Sequence, residues 1–434
     1  MTIAELYHLF LKVRKVSTDT RSGVEGSLFF ALKGASFDGN VFVEQAFAQG
    51  AVCCVIDNPD YYIAEKTILV DDVLKTLQQL ATFHREQLDI PVLAITGTNG
   101  KTTTKELVNA VLSTTYKTTC TKGNLNNHIG VPLTLLSMSE EDEIAIIEMG
   151  ANHPQEIDFL CHIAKPNFGL ITNIGKAHLE GFGGFEGVVK TKNELYQYIR
   201  LCNGMLFVHR DDSLLMDLSE NIQKITYGTS PDSECSGRIV GMKPFLSLAV
   251  ELNGKEFEVD SKLIGAYNAP NMLAAACIGN YFHVPAEKVV SALESYQPDN
   301  MRSQMETIGD NTIILDAYNA NPTSMNAALD NFFTLDFPRK TVILGNMLEL
   351  GTWSEEEHRK IINKLKNSDI DNVFLVGEHF KQLEEESSGF RYFGDVDALI
   401  RFLECNEIFN TLILVKGSRS VRLEKILDTL KKRQ

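Results

Sequence analysis

The feature that most limits the fold of this 434-residue sequence is a series of short, uninterrupted apolar runs. Such runs, rich in Val, Ile and Leu and without polar alternation, are typical of strands buried on both faces of a sheet. They lie at residues 92–96, 144–149, 168–174, 205–208, 312–315, 342–344, 373–376 and 412–415. Amphipathic stretches of helical length, such as 105–113 and 355–366, separate many of them. This alternation predicts an α/β fold with mostly parallel sheets.

The length and two breaks in the pattern predict three domains. At about 150 residues per domain, the chain has room for about three cores. The helical stretch 73–87 runs into Pro91, and residues 297–300 (QPDN) interrupt the pattern a second time. We therefore expect domains at residues 1–88, 89–300 and 301–434. Within the middle domain, the short alternating runs of residues 224–263 predict a small antiparallel excursion.

Composition argues against several classes of protein. Lys and Arg number 41 against 57 Asp and Glu, and the net charge of −16 disfavours a surface that coats nucleic acid. No run approaches the roughly 18 apolar residues of a membrane span, and the N-terminus lacks a signal-peptide pattern. The eight cysteines are scattered and form no CxxC pair. We expect a cytoplasmic protein with reduced thiols, without membrane insertion and without a nucleic-acid partner.

A glycine-rich turn directly follows the apolar run at 92–96. It reads Gly97-Thr98-Asn99-Gly100-Lys101-Thr102-Thr103. Between a strand and a helix, the N–H groups of such a turn can wrap phosphates, its lysine can contact the β and γ phosphates, and the next hydroxyl can hold Mg²⁺. Ile95 stands where the common pattern has its first glycine. The string predicts a nucleoside triphosphate site, and the alternative is an ordinary glycine turn before a helix.

Three further polar residues could complete such a site. Glu148 ends an apolar run, where a metal-binding carboxylate is well placed. His178 lies just beyond the run at 168–174, and a histidine there is more often a loop or core residue than a ligand. Lys192 lies two residues before Glu194. Without further context, such a lysine is expected to be exposed on a helix and paired with a neighbouring glutamate. The residues alone leave these alternatives open.

Four strings taken together resemble the ATP-dependent Mur ligases of peptidoglycan synthesis. They are the phosphate loop, residues 123–134 (GNLNNHIGVPLT), residues 316–325 (DAYNANPTSM) and residues 416–419 (KGSR). Weaker matches at 17–21, 37–40 and 344–351 extend the resemblance over nearly the whole chain. The second and third strings are most similar to the branch of the family that adds D-alanyl-D-alanine.

The resemblance implies both an architecture and a reaction. It implies an N-terminal UDP-binding α/β domain, a central P-loop-like ATP-binding domain and a C-terminal Rossmann-like domain. The implied reaction joins D-alanyl-D-alanine to a UDP-N-acetylmuramoyl-tripeptide (UDP-MurNAc-tripeptide), with ATP consumed and an acyl phosphate as intermediate. The expected partners are these small molecules, and the expected state is a monomer.

The resemblance also implies roles for individual residues. ATP is expected to contact Gly97, Thr98, Asn99, Gly100, Lys101, Thr102, Thr103, Asn268, Asn271, Arg302 and Asp316. Two Mg²⁺ ions are expected near Thr102, Glu148, His178 and Lys192, the last as a carbamate formed with CO₂. The other substrates are expected to contact Asp19, Thr20, Arg21, Asn126, Asn127, Tyr318, Asn319 and Asn321. The expected catalytic residues are Lys101, Lys192, His178 and Glu148.

Plainer alternatives exist for several of these roles. Asn268, Asn271 and Asp316 could cap helices, and residues 19–21 and 318–321 could be turns without a ligand. Asn40 stands where a histidine is usual in the family, which puts the UDP contact in question. Asn346 stands where an aspartate is usual, which puts domain closure in question. Another Mur ligase, a folylpolyglutamate-type synthetase and a nucleotide switch remain as alternative functions. The third residue of the acceptor peptide, lysine or diaminopimelate, is not readable from the sequence.

Overall fold

Three open sheets follow one another along the chain. The computed structural model describes residues 1–21 and 23–431. In this part of the chain the sheets have four, nine and six strands, and a two-stranded ribbon is added to the first. Most neighbouring strands run parallel, so the predicted α/β class is confirmed. The predicted domain boundaries fall in the connections between the sheets, and the division itself stays a prediction.

The N-terminal part is built around the four-stranded sheet. Its elements are α1 (Ile3–Val13), β1 (Val16–Ser17), β2 (Leu28–Phe30), β3 (Lys33–Gly34), β4 (Phe37–Asp38), α2 (Val43–Ala48), β5 (Cys53–Ile56), β6 (Thr67–Leu69) and α3 (Val73–Gln87). The strand order is β1-β2-β5-β6, all parallel. Helix α1 begins at a capping box between Thr2 and Glu5. The hydroxyl of Tyr7 lies 3.1 Å from Nδ1 of the buried His84, which joins α1 to α3.

The middle part contains the nine-stranded sheet. Its elements are β7 (Val92–Thr96), α4 (Lys101–Leu112), β8 (Thr118–Cys120), α5 (Gly130–Leu136), β9 (Ile144–Glu148), α6 (Glu156–Ala164), β10 (Phe168–Ile171), α7 (Leu179–Phe182), α8 (Phe185–Leu201), β11 (Met205–His209), α9 (Ser213–Leu218), β12 (Lys224–Gly228), β13 (Cys235–Met242), β14 (Phe245–Leu252), β15 (Lys255–Ile264), α10 (Ala269–Tyr281) and α11 (Ala286–Ser295). The order is β15-β14-β13-β12-β11-β10-β7-β9-β8. The predicted antiparallel excursion is confirmed for β13 to β15, whereas β12 pairs parallel with both its neighbours.

The C-terminal part contains the six-stranded sheet. Its elements are β16 (Gln304–Ile308), β17 (Asn311–Asp316), α12 (Pro322–Thr334), β18 (Lys340–Gly345), α13 (Ser354–Lys366), β19 (Asn372–Val376), α14 (Glu378–Lys381), β20 (Arg391–Phe393), α15 (Val396–Leu403), β21 (Leu412–Lys416) and α16 (Ile426–Lys431). The order is β16-β17-β21-β18-β19-β20, parallel except for the β16–β17 hairpin. Within residues 1–21 and 23–431, no helix is both long enough and apolar enough to cross a bilayer.

Two sequence-based boundaries are wrong by three or more residues, and both lie next to the phosphate loop. The run at 168–174 forms a strand only as far as Ile171, because the next residues leave the sheet to bond the loop. The carbonyl of Asn173 accepts from the Thr98 N–H at 2.9 Å, and its side chain accepts from the Asn99 N–H at 3.1 Å. The helix predicted at 105–113 begins at Lys101, directly after the last glycine of the loop. The loop is thus tied to the end of the neighbouring strand β10.

Candidate active site

The phosphate loop joins β7 to α4 and requires glycine at two positions. Gly97 has φ +139° and Gly100 φ +78°, a region that side chains disfavour. A Cβ on Gly97 would lie 2.1 Å from the hydroxyl of Thr172. Gly100 forms the N-cap of α4 without any side-chain cap, so the first N–H groups of this helix remain available to an anion. The local geometry is that of a phosphate-binding turn.

Lys101 folds back over the loop. Its Nζ donates to the carbonyls of Gly97 at 2.8 Å and Thr98 at 3.0 Å. Burial lowers the pKa of Lys101 to about 8, although Glu148 opposes this shift. An incoming phosphate could replace the two carbonyls as the partner of this ammonium group and would favour its charged form.

Glu148 ends β9 beside the phosphate loop, and its side chain is buried with an exposed fraction of 1%. Its Oε1 accepts from the hydroxyl of Thr102 at 3.2 Å and from the amide of Asn126 at 2.8 Å. Its Oε2 is buried and has no hydrogen-bond partner among the residues that the structure describes. A buried, unpaired carboxylate oxygen is costly. This oxygen beside a hydroxyl therefore fits a hard divalent cation.

His178 and Lys192 occupy different surroundings. Nδ1 of His178 contacts Oε2 of Glu349, a residue of the C-terminal part, and this contact holds the pKa of Glu349 below its ordinary value. Lys192 lies on α8 with an exposed fraction of 2%, and its Nζ is 5.7 Å from the ring centre of Phe182. Burial first, and then the charge of Lys101, hold the pKa of Lys192 well below its ordinary value. Burial thus disfavours the charged form of the Lys192 amine.

Asn268 and Asn271 form a hydrogen-bonded pair behind the loop. The amide of Asn271 donates to Asn268 at 2.9 Å, and its oxygen accepts from the hydroxyl of Thr104 at 3.0 Å. Asn268 donates to the carbonyl of Ile264 at 2.8 Å and makes no side-chain cap to α10. The capping role considered for Asn268 is therefore wrong.

The C-terminal part supplies a second wall. The guanidinium of Arg302 lies 3.8 Å from the ring centre of Tyr318. Its Nε is buried, with no hydrogen-bond partner in the described part of the chain. Asn321 caps α12 by accepting from the Ser324 N–H at 2.9 Å. Its amide also donates to Asn99 of the phosphate loop at 2.7 Å. The two parts of the chain therefore meet directly at the loop.

One cavity of about 850 Å³ brings most of the predicted residues together. Its lining includes Thr98, Asn99, Gly100, Lys101, Thr102, Thr103, Asn126, Asn127, Glu148, His178, Asn268, Asn271, Arg302, Asp316, Tyr318, Asn319 and Asn321. The lining does not include Gly97, Asp19, Thr20, Arg21 or Lys192. The guanidinium of Arg21 pairs with its own neighbour Asp19 at 2.7 Å and is exposed. The UDP contact predicted there stays a prediction.

The two residues that depart from the usual strings have internal partners. The amide of Asn40 is fully buried and donates to the carboxylates of Asp38 at 2.6 Å and Asp57 at 2.9 Å. Asn346 is buried inside the C-terminal part, where its carbonyl accepts from the Ser418 N–H at 3.1 Å. Both asparagines thus support local structure through hydrogen bonds.

Two residues of the quoted strings acquire partners that sequence reasoning missed. Lys416 donates to Asp316 at 2.6 Å, and Glu349 contacts His178. The position of Lys416 at the end of a buried apolar run was the available signal for the first. For Glu349 the only signal was its place in the string at 344–351.

Comparison with known proteins accounts for this arrangement. Three family models match: the Mur ligase family catalytic domain at residues 12–85, the Mur ligase middle domain at 95–279 and the Mur ligase glutamate ligase domain at 302–419. The UDP-N-acetylmuramoyl-tripeptide--D-alanyl-D-alanine ligase of Bacillus subtilis is 36% identical, over 96% of this chain and 93% of its own length. The chain belongs to the Mur ligase family.

Solved Mur ligases share the fold over nearly the whole chain. MurF from Acinetobacter baumannii is 31% identical, with a TM-score of 0.87 over 97% of this chain and 94% of that one. MurF ligase from Thermotoga maritima, solved in complex with ADP, is 26% identical, with a TM-score of 0.84 over 97% of this chain and 98% of that one. The resemblance to Mur ligases drawn from the sequence is confirmed.

Proposed function

We propose that this member of the Mur ligase family joins D-alanyl-D-alanine to UDP-MurNAc-tripeptide at the expense of ATP. The observation that carries the proposal is that the phosphate loop, Glu148, Arg302 and Tyr318 line the same cavity. The substrates are those named for the Bacillus subtilis relative, with which this chain aligns almost end to end. The product is the UDP-MurNAc-pentapeptide precursor of peptidoglycan.

The reaction begins with activation of an unreactive acid. An oxygen of the tripeptide's terminal carboxylate attacks the γ-phosphorus of ATP, the bond from that phosphorus to the bridging oxygen breaks, and ADP leaves. The amine of D-alanyl-D-alanine then attacks the acyl carbon and loses one proton to solvent, and phosphate leaves with the original carboxylate oxygen. Lys101 supplies a positive charge beside the transferring group, where negative charges otherwise repel one another. Enclosure by the N-terminal, middle and C-terminal parts orients the reactants.

Mg²⁺ is the cation that such a site is expected to bind. Thr102, Glu148 and His178 would hold it, since the unpaired Oε2 of Glu148 and the neighbouring hydroxyl are oxygen donors of the kind it prefers. When bound, the cation offsets phosphate charge and orients the transferring group. Among residues 1–21 and 23–431, no three His, Cys, Asp or Glu side chains are grouped as a metal site. A second Mg²⁺ ion therefore needs a donor group in addition to Thr102, Glu148 and His178.

Lys192 could supply that donor as a carbamate. Its buried amine makes no hydrogen bond or ion pair with the described residues, and burial favours its neutral, nucleophilic form. Attack of this nitrogen on CO₂ forms an N–C bond and releases one proton. The product carries a negative charge where the lysine would carry a positive one, which suits a site that accepts cations. We propose that Lys192 is carbamylated in the active enzyme.

The remaining predicted residues divide between ATP and the joining substrates. Asn268 and Asn271 would contact adenine, and Arg302 and Asp316 would contact the phosphates and the ribose. Asn126, Asn127, Tyr318, Asn319 and Asn321 would contact the two substrates that are joined, and Asp19, Thr20 and Arg21 would hold the UDP group. The proposal includes a cytoplasmic monomer, and the described cysteines, all free, support a reducing compartment.

A phosphate-release assay with an amine panel tests the function against its rivals. The complete mixture contains ATP, Mg²⁺, UDP-MurNAc-tripeptide and D-alanyl-D-alanine, and each component is omitted in turn. Release is expected only from the complete mixture, and glutamate or diaminopimelate should not replace the dipeptide. Release with another amine would favour another Mur ligase or a folylpolyglutamate-type enzyme. Release without any muramoyl substrate would favour a nucleotide switch.

Matched variants connect that assay to the phosphate loop. Lys101→Ala removes the charge beside the triphosphate and is expected to lower the rate by at least about a thousandfold. Lys122→Ala removes an exposed lysine outside the cavity lining and is expected to leave the rate unchanged. Equal rates in the two variants would overturn the role of Lys101.

A further inference from the structure

The segment 178–184 of the middle part meets the segment 346–353 of the C-terminal part. Nδ1 of His178 contacts the carboxylate of Glu349, and the Glu180 N–H donates to the Glu349 carbonyl at 3.2 Å. The indole of Trp353 covers Gly184, where an added Cβ would lie 3.6 Å from the ring. The contacts between the two segments therefore include a side-chain pair, a backbone hydrogen bond and the packing of the Trp353 ring.

Both members of the side-chain pair have an unusual backbone conformation. His178 has φ +50° and Glu349 has φ +61°, in the left-handed region that non-glycine residues rarely occupy. Such a conformation is energetically unfavourable for a non-glycine residue and persists where the surrounding structure holds it. The chain thus accepts strain at both residues that form the contact.

The loop that carries Glu349 is held by hydrogen bonds from its own side of the interface. The Met347 N–H donates to Nε2 of the buried His358 at 3.0 Å. The Leu348 N–H donates to the hydroxyl of Ser418 at 3.1 Å. Met347 itself is fully buried. These hydrogen bonds therefore fix the backbone next to Glu349 at the position where its side chain contacts His178.

The contact with Glu349 affects how the imidazole of His178 can bind a cation. A histidine that donates its Nδ1 proton to a carboxylate keeps the Nε2 lone pair free for a cation, and the carboxylate fixes the ring's tautomer and orientation. We propose that Glu349 is a positioning residue that orients His178 for cation binding, so that the cation site is complete only when the C-terminal part is docked. The inference rests on the proposed role of His178 as a ligand and adds a second residue behind it.

Docking and cation binding then become linked. If the docked arrangement binds the cation more tightly, the cation must stabilise docking by the same factor. Trp353 is the single tryptophan of the chain, and it is partly buried at this interface. Its fluorescence therefore reports docking independently of turnover.

An ion pair between Lys176 and Glu357 across the same interface supplies a matched control. Glu357 of the C-terminal part accepts from Lys176 of the middle part at 2.8 Å, without a contact to His178. Glu349→Ala and Glu357→Ala each remove one interdomain carboxylate, but only the first removes the partner of the imidazole. Glu349→Gln keeps a hydrogen-bond acceptor without the charge. The Gln variant also provides a test if the Ala variant fails to fold, which circular dichroism would show.

The experiment measures Mn²⁺ affinity by electron paramagnetic resonance on the full-length protein with ADP. Glu349→Ala is expected to weaken Mn²⁺ binding 10- to 100-fold, the usual effect of losing a carboxylate behind a metal-binding histidine. Glu349→Gln should weaken it less, and Glu357→Ala by no more than about threefold. With Mg²⁺ in place of Mn²⁺, Trp353 emission should change at tenfold or more higher concentration in Glu349→Ala than in the wild type.

Each outcome has a distinct meaning. Equal Mn²⁺ affinity in the wild type and in both Glu349 variants would overturn the positioning role while leaving the proposed ligase function intact. An equal loss in Glu349→Ala and Glu357→Ala would also overturn it, since the effect would then come from docking alone. A wild-type protein that binds no Mn²⁺ at all would overturn the proposed cation site, and the inference with it.

Discussion

Asp316 and Lys416 face each other at the ends of neighbouring parallel strands, with Nζ and Oδ2 2.6 Å apart. They are directly opposite in the register of β17 and β21. Lys416 has an exposed fraction of 2%, and the carboxylate also accepts from the Ser303 N–H at 3.2 Å. The pair therefore fixes a carboxylate at the edge of the cavity, although 100 residues separate its members.

Removing the lysine of this pair should destabilise the folded protein. Lys416→Met leaves a largely buried carboxylate without its cation, and it is expected to lower the free energy of unfolding by about 3 kcal/mol. Adding Asp316→Asn removes the unpaired charge and should restore part of that loss. Urea denaturation monitored by circular dichroism measures both values. A double variant less stable than the single one would contradict a compensated ion pair.

The sequence predicts the strands that build the cavity better than the contacts within it. Apolar runs such as 92–96 and 412–415 carry enough buried residues to identify a central strand from local pattern alone. Strands of two or three residues, such as Val16–Ser17, carry too little pattern to be recognised. The pairing of Glu349 with His178 depends on how the middle and C-terminal parts dock, and no local periodicity encodes that.

Gly97 of the phosphate loop gives a second prediction. Gly97→Ala combines a disfavoured φ with a Cβ only 2.1 Å from the Thr172 hydroxyl, so the loop must shift away from its phosphate-binding shape. ADP affinity, measured by calorimetry, is expected to fall at least about a hundredfold. Gly254→Ala is the matched control, because its φ of +72° is also left-handed but nothing lies within 4 Å. Similar ADP affinities in the two variants would contradict the steric argument.

Carbamylation of Lys192 can be tested by chemical rescue. Lys192→Ala is expected to lower ligase activity at least about a hundredfold, because the cation site loses a negative charge. Acetate or propionate should restore part of the activity, and ¹³CO₂ should give a carbamate signal by NMR in the wild type but not in Lys192→Ala. Lys190→Ala, which alters an exposed lysine on the same helix, should behave as the wild type. Loss without rescue and without a ¹³C signal would contradict the carbamate.

The buried His358 makes stability depend on pH. Burial lowers its pKa to about 4, whereas in the unfolded chain it titrates near 6.5. The unfolded state therefore binds more protons between these values, and the stabilisation present above pH 6.5 is lost as the pH falls. Because of His358, the free energy of unfolding should fall by about 2 kcal/mol between pH 7 and pH 5. Denaturation of His358→Gln at both pH values should show a smaller decline, and an unchanged decline would contradict the assignment.

Oxygen transfer from the acceptor carboxylate tests the central claim, that the enzyme activates this acid as an acyl phosphate. The tripeptide's terminal carboxylate is labelled with ¹⁸O, and the phosphate released in one round of ligation is examined by mass spectrometry. The proposed reaction predicts one ¹⁸O atom in each phosphate, since the amine displaces phosphate together with an original carboxylate oxygen. Amide formation with all of the label retained in the peptide or released to water would contradict it.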